Sequence, residues 1–313
     1  MCIRDRLLGA LPPGTAVIVM SDHGFGPLHY TVNLNVLLMQ AGLMSLKRNP
    51  LTQLKAWLFW RGLTPAAVYR WLEKLGLHHL TAQVSRRQRN AIVGKFLSYD
   101  DVDWARTQAF SMGHVGQIYV NTRGIQPHGS VEPGPEVAEV RERIVSALST
   151  LRHPVTGKPI VDQIITREGE FEGPYAERGP DLQVVLDGYR CISFPLFASS
   201  PEVITPQIRG DSGCHRREGI FIASGAGIRP GVQLKAAHIT DIAPTVLHLM
   251  GLPVPEPMDG RPLLEILEDP SSVRYVESSA LAASSPTVDP ESQLTPEETA
   301  EIEERLRNLG YLE

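Results

Sequence analysis

The chain of 313 residues has an ordinary globular composition, with 42% hydrophobic and 21% charged residues. That length accommodates one large α/β domain or two smaller ones. The formal net charge of −5 excludes the strong basic field of a nucleic-acid-binding protein. No apolar run reaches the roughly 18 residues of a membrane-spanning helix. Three cysteines argue against a disulfide framework and favour a reducing compartment.

The beginning of the chain contains no targeting signal that we recognise. Residues 1–6 lack the apolar stretch of a signal peptide, and we interpret them as a non-native leader. The pattern from Leu7 to Gly14 predicts the end of a helix, because two prolines and a glycine follow its apolar residues.

The first predicted strand leads into a polar pair. The apolar, β-branched run 16–20 is typical of a strand buried on both faces in a parallel sheet. It ends in Asp22 and His23, and Gly24 and Gly26 permit a break into a loop. Ligand sites of open α/β sheets lie at such strand ends, and a carboxylate with an imidazole suits zinc or another divalent metal. Alternatively, Asp22 caps the turn and His23 is an ordinary loop histidine.

Residues 45–97 differ in character, and we interpret them as a helical insertion. They follow a predicted helix over 31–42 and carry three of the four tryptophans among lysines and arginines. Thr64 and Pro65 are a typical N-cap and first helical residue, and Gly76 is a typical stop. The insertion packs its aromatic face on the domain, caps the substrate entrance, or lies on a membrane surface.

The remaining elements follow from apolar spacing and from stop signals. We predict strands over 116–121 and 181–187, a helix over 135–152, a strand over 220–223 after His215, and a helix that is capped by Thr240 or Asp241 and ends at Gly251. Asp181 is expected in a turn. Residues 271–293 are typical of a linker, and 294–313 of a docked C-terminal helix. Cys214 has no second cysteine near it in sequence, so we do not expect it to bind metal.

Three motifs together resemble the alkaline phosphatase superfamily, specifically its type I phosphodiesterase/nucleotide pyrophosphatase branch. They are Ser21-Asp22-His23-Gly24, Gly213-Cys214-His215-Arg216 and Ile239-Thr240-Asp241-Ile242-Ala243-Pro244-Thr245. The resemblance implies an α/β fold, a three-layer α/β/α sandwich of the alkaline phosphatase type, with the insertion between core segments 7–44 and 98–270. It also implies that Asp22 and His23 bind the metal that activates the nucleophile, and that His215 binds the other metal. It gives His114, which lies between glycines, no metal role.

The chemistry implied by the resemblance is metal-dependent hydrolysis of small-molecule phosphoric esters. Two divalent metal ions, expected to be zinc, assist in-line displacement by a Thr or Ser nucleophile. In that family most of the active site precedes the Asp-His strand, so we expect a truncated chain that is inactive by itself, with its nucleophile upstream. The alternatives are a sulfatase or phosphomutase of the same superfamily, or a non-catalytic module that keeps the fold.

Overall fold

The computed structural model describes residues 3–76, 95–173, 175–194, 197, 200–207 and 212–277. Within these ranges the α-helices are α1 (Ile3–Ala10), α2 (Leu34–Gln40), α3 (Pro50–Trp60), α4 (Pro65–Lys74), α5 (Pro135–Ser149), α6 (Arg167–Glu170) and α7 (Ile242–Leu249). The strands are β1 (Val17–Met20), β2 (Gly24–Pro27), β3 (Tyr30–Val32), β4 (Ala109–Met112), β5 (Gln117–Val120), β6 (Val161–Thr166), β7 (Leu182–Leu186), β8 (Cys191–Ser193), β9 (Ile204–Pro206), β10 (Gly213–Arg216), β11 (Phe221–Ser224), β12 (Val254–Pro255) and β13 (Tyr275–Val276). The predicted mixed α/β class is confirmed.

The chain forms two compact units, and the first comprises the residues up to Asp22 and those from Ile220 onward. In it β1 pairs antiparallel with β11, from Val17 opposite Ser224 to Met20 opposite Phe221. The side chains of β1 are half-buried or exposed. The prediction of a parallel strand buried on both faces is therefore wrong, because a short apolar run does not distinguish that strand from one in a half-buried antiparallel pair.

Asp241 directly precedes helix α7, at the predicted cap position, but its side chain makes no capping hydrogen bond to that helix. The carboxylate of Asp241 instead accepts hydrogen bonds from the backbone N–H groups of His238 (2.8 Å) and Arg261 (3.0 Å). It thereby closes the short helical turn before α7 and ties that turn to residue 261. Gly251 follows the helix with a φ of 69°, as expected for a C-terminal stop.

The second unit runs from His23 to Gly219 and contains the main hydrophobic core. Its largest sheet has the order β4-β5-β7-β6, with every neighbouring pair antiparallel. Helices α2 and α5 contact each other and this sheet. Along α5 the residues Val140, Ile144 and Leu148 are buried, as their 3/4 spacing predicts. A smaller sheet places β3 between β8 and β9.

A buried ion network centred on Asp181 joins the bend before β7 to α5 and α6. Asp181, at the bend before β7, has a side chain that is only 2% exposed. It pairs with Arg141 and Arg167, each at 2.8 Å, and accepts a hydrogen bond from the backbone N–H of Val120. The turn position agrees with the sequence prediction, whereas this structural role was not anticipated.

The predicted insertion is described as far as residue 76, and residues 77–94 lie outside the described ranges. The side chain of Asn49 caps α3 by accepting from the N–H of Thr52, and Thr64 caps α4 as predicted. Lys55 of α3 forms an ion pair with Asp101 at 3.0 Å, which ties the helix to the unit. Of the predicted linker only 271–277 is described, and it includes β13; the predicted C-terminal helix lies outside the described residues. Among the described helices, none is long and apolar enough to cross a membrane.

Candidate metal site

The second unit brings together two histidines that the sequence predicts as metal ligands. Strands β2 and β10 pair antiparallel, with Phe25 opposite His215. His23 directly precedes β2, so its ring lies beside the same pair of strands. The ring centroids of His23 and His215 are 4.0 Å apart, and the Phe25 ring lies 6.4 Å from that of His215. Residues separated by almost two hundred positions thus share one small surface.

One ring nitrogen of His23 is oriented by a backbone contact. Its Nδ1 lies 2.8 Å from the carbonyl oxygen of Gly24. Because a carbonyl oxygen only accepts, Nδ1 is the donor of this hydrogen bond, and in the neutral imidazole the lone pair is then on Nε2. Metal-binding imidazoles commonly use one ring nitrogen in this way, to a backbone carbonyl, while the other nitrogen faces the ion. The chemistry of His23 therefore fits a metal ligand.

The two faces of β10 carry different side chains, since alternate residues of a strand point in opposite directions. His215 is exposed on one face, whereas Cys214 is buried on the other. The thiol of Cys214 donates to the carbonyl oxygen of Tyr189 at 3.0 Å. This orientation away from His215 supports the prediction that Cys214 does not bind metal.

Arg216 shares the face of Cys214 and holds the strand pair together. Its guanidinium donates to the carbonyl oxygens of Pro27 and Tyr189 and lies 3.1 Å from the sulfur of Cys214. The sequence motif contains Arg216, but we assigned it no role. The alternation of side chains along β10 could have indicated this role. Arg216 follows His215 and therefore faces the opposite side of the strand, where Gly26 leaves room for it.

The glycines of β2 serve close packing and not an unusual backbone conformation. Neither Gly24 nor Gly26 has a positive φ. A Cβ at Gly24 would lie 1.9 Å from the carbonyl oxygen of Glu218, and one at Gly26 would lie 2.6 Å from Nε of Arg216. The expectation that these glycines permit a loop break is therefore replaced by a steric requirement of the β2–β10 pair.

The remaining predicted residues are placed as follows. Asp22 belongs to the first unit and is exposed, and its role as a ligand stays a prediction. His114 is exposed, with Nδ1 3.4 Å from the carbonyl oxygen of Ser193. Over the part of the chain that the structure describes, no cluster of three or more His, Cys, Asp or Glu side chains is arranged to hold a metal. The pair His23–His215 is thus the part of the predicted site that the structure assembles.

A mixed α/β chain with this motif order is consistent with an alkaline phosphatase-like fold. The profile of the type I phosphodiesterase/nucleotide pyrophosphatase family matches residues 4–190, which is more than half of the chain. The chain therefore belongs to that family, within the alkaline phosphatase superfamily. The matched range includes Asp22 and His23, whereas His215 lies beyond it.

A curated relative points to the same superfamily. The chain is similar to a 2,3-bisphosphoglycerate-independent phosphoglycerate mutase of Cereibacter sphaeroides, with 40% identity over 63 residues. That alignment covers 20% of this chain and only 12% of the mutase. No solved structure shows significant similarity to the chain.

Proposed function

We propose that this chain is part of a metal-dependent hydrolase of phosphoric esters, of the phosphodiesterase or nucleotide pyrophosphatase type. The observation that carries the proposal is the pairing of the His23 and His215 rings, 4.0 Å apart, beside one pair of strands. Family membership supports the reaction class, since the family is named for phosphodiester and pyrophosphate cleavage. The substrates are small-molecule phosphate esters.

The residues have separate roles in this proposal. His23 and His215 each present an imidazole to a divalent metal, for which zinc is the expected ion. The hydrogen bond from Nδ1 of His23 to Gly24 orients the ring, and Nε2 would be the nitrogen that binds the ion. Asp22 is proposed as the carboxylate partner of His23, and His215 as a ligand of a second metal.

When bound, such ions would supply Lewis-acid stabilisation of charge at phosphorus and at the leaving oxygen. The protein's own contribution is to hold the donor atoms in place through the β2–β10 pair. We further propose that a Thr or Ser nucleophile completes the site from sequence that these 313 residues do not include.

A phosphomutase is the second candidate. The similarity to the phosphoglycerate mutase over 63 residues favours it, because that relative's name specifies phosphoryl transfer between positions of a phosphoglycerate. Both candidates require metal at the histidine pair, so metal binding tests their common part and substrate assays separate them.

The first test is zinc binding by the chain and its histidine variants. His23→Ala and His215→Ala should each weaken zinc binding at least about tenfold, the lower bound for loss of a supporting outer-shell partner. His114→Ala is the matched control, because His114 is an exposed histidine of the same unit. Isothermal titration with zinc, with circular dichroism as the folding check, gives the comparison.

Zinc affinity that is unchanged in both ligand variants would remove the histidine pair from the proposal. The second test uses the longest open reading frame that contains this sequence. It should cleave an aryl phosphodiester such as bis(p-nitrophenyl) phosphate in a zinc-dependent way. Isomerisation of a phosphoglycerate without ester hydrolysis would instead support the mutase candidate.

A further inference from the structure

The helices α3 and α4 expose an apolar surface that the proposed hydrolase chemistry does not use. The buried residues of α3 are Thr52, Ala56 and Phe59. Its solvent side carries apolar side chains where a surface helix normally carries polar ones. Together with two residues of α4 they form what we name the α3–α4 surface, which consists of Leu51, Leu54, Trp57, Trp60, Val68 and Trp71.

The exposure of these side chains is large. Leu51 is 64% exposed, Trp57 53% and Trp71 67%. Single exposed apolar residues are normal in a folded protein, but six of them on two successive helices, three of them tryptophans, indicate an interaction surface. The fourth tryptophan, Trp104, provides the contrast, because its ring is half-buried and stacks against Tyr99 and packs edge-on against Phe110.

The same segment is strongly basic within an acidic protein. Residues 45–76 contain six lysines or arginines and one glutamate, giving a formal charge of +5 in a chain whose formal charge is −5. The exposed cations are Lys47, Arg48, Arg61, Arg70 and Lys74. The guanidinium of Arg61 lies over the ring of Trp57, 4.8 Å from its centroid. A positive charge therefore lies directly beside an exposed aromatic side chain of this surface.

A concavity of about 730 Å³ extends this surface into the unit. Trp57, Trp60, Met39 and Met44 contribute apolar lining, and Arg48 and Arg106 contribute guanidinium groups. Apolar walls combined with cations match an amphiphile that has an anionic head group.

We propose that the α3–α4 surface docks the protein on a membrane leaflet that contains anionic lipid. Helices with Trp and Leu on one side and Lys and Arg around them lie in the interface, with the apolar groups at the acyl boundary. Anionic head groups attract each nearby lysine or arginine by about 1 kcal/mol, which is about fivefold in binding. The positive charge of residues 45–76 is complementary to the anionic lipid, whereas the chain as a whole is negatively charged. The protein thus binds at the bilayer surface.

The test is co-sedimentation of the 313-residue chain with lipid vesicles. Vesicles of phosphatidylcholine with about 30% phosphatidylglycerol, whose anionic head groups attract lysine and arginine, are compared with vesicles of pure phosphatidylcholine. The chain should bind the anionic vesicles, and raising the salt to about 1 M should weaken binding because the Debye length falls to about 3 Å.

Two variants test the surface itself, and each has a matched control. Trp57→Ala with Trp71→Ala should lower vesicle binding at least about tenfold, since each indole loses apolar area that would leave water. Arg61→Gln should lower it about fivefold. The controls are Tyr175→Ala and Arg178→Gln, because Tyr175 is 69% exposed and has the Arg178 guanidinium over its ring at 5.1 Å. Both controls should change binding less than about twofold.

Failure to bind anionic vesicles overturns the proposal, as does equal binding to the neutral ones. Equal losses in the surface variants and their controls also overturn it. Concentration-dependent self-association that the tryptophan variants abolish, without vesicle binding, would assign the surface to a second copy of the chain instead. Circular dichroism of each variant confirms that a loss of binding is not a loss of folding.

Discussion

The four-stranded sheet and the β2–β10 pair of the second unit differ in how far their side chains are buried. The four-stranded sheet β4-β5-β7-β6 is covered by helices, and Ile118 and Leu182 are almost completely buried in it. The β2–β10 pair, by contrast, exposes Phe25 to 69% and exposes His215 as well. The sheet therefore provides stability, whereas the pair presents chemical groups to the surroundings.

The means of attachment differ accordingly. The sheet is stabilised by apolar burial and by the ion network around Asp181. The pair depends on two glycines that allow close approach and on the guanidinium of Arg216, which lies against Gly26 and donates to the carbonyl oxygen of Pro27. Substitutions in the sheet should hence affect the free energy of unfolding most, and substitutions in the pair should affect the histidine site most.

The largest stability effect is expected at Asp181. Asp181→Asn leaves the side chains of Arg141 and Arg167 without their buried anion, at 21% and 13% exposure. Removing one partner of a buried ion pair costs about 3–5 kcal/mol. Urea denaturation followed by circular dichroism should show this decrease.

Glu168→Gln is the control within the same network. Glu168 also pairs with Arg141, at 2.8 Å, but its side chain is 63% exposed. An exposed pair contributes at most about 1 kcal/mol. Similar losses in both variants would mean that burial of Asp181 does not set the strength of the network.

An intermediate and pH-dependent effect is expected at Asp101. Its carboxylate accepts hydrogen bonds from Thr52 (2.8 Å) and the N–H of Ser98 (3.1 Å) and pairs with Lys55. Burial opposes its ionisation, but the hydrogen bonds from Thr52, Lys55 and the backbone of Ser98, together with the charge of Lys55, outweigh burial and lower the pKa of Asp101. A lowered folded-state pKa contributes stability above the unfolded pKa of about 4, and that contribution is lost as pH falls through the folded pKa.

Asp101→Asn should therefore lower the free energy of unfolding by about 1.5–3 kcal/mol at neutral pH, the range for hydrogen bonds to charged groups. The difference from the wild type should shrink as pH falls from about 4 through the lowered folded-state pKa, because the carboxylate of Asp101 then takes up a proton and becomes neutral like the amide. Urea denaturation across this pH range measures it. Asp100→Asn, at an exposed neighbour, should stay within about 0.5 kcal/mol at every pH. A constant difference down to pH 2 would contradict the assignment.

The smallest stability effect is expected at Gly26, where the comparison of the two strand systems is sharpest. An Ala Cβ there would meet only the mobile end of Arg216 among its nearest atoms. Gly26→Ala should lower the free energy of unfolding by about 1 kcal/mol, the low end for overpacking. It should also weaken zinc binding, because the β2–β10 pair holds His23 and His215. In the Arg216→Ala variant, Gly26→Ala should leave the free energy of unfolding almost unchanged. A double-mutant cycle with these two substitutions measures the difference.

Gly24→Ala serves as the comparison in that cycle. Its Cβ would meet the backbone oxygen of Glu218, which a change at position 216 does not remove. Arg216→Ala should therefore leave its cost unchanged. Rescue of both glycine variants, or of neither, would contradict the positioning role of Arg216.

Local signals in the sequence predicted much of the fold. The helix over 135–152 and the strand over 181–187 appear at nearly their predicted bounds, since each has a regular apolar spacing and clear ends. The orientation of β1 was wrong, because whether a short apolar strand is parallel or antiparallel depends on its partner, which no local pattern specifies.

The site was predictable only in part. Motifs identified His23 and His215, and the structure brings their rings together. The steric role of Gly24 and Gly26 could not be read from the chain, because it depends on residues almost two hundred positions away. The role of Arg216 likewise depends on residues that are not its neighbours in sequence, Pro27 at a separation of 189 positions and Tyr189 at a separation of 27.

The division of labour along β10 also bears on how relatives of this chain should be sorted. Gly26 and Arg216 maintain the strand pair whether or not a metal is present, so a descendant that lost catalysis would still be under selection to retain them. His23 and His215, in contrast, are assigned to metal binding in the proposed function. A relative in which the two histidines are substituted while Gly26 and Arg216 are kept would therefore be identified from its sequence as a pseudoenzyme.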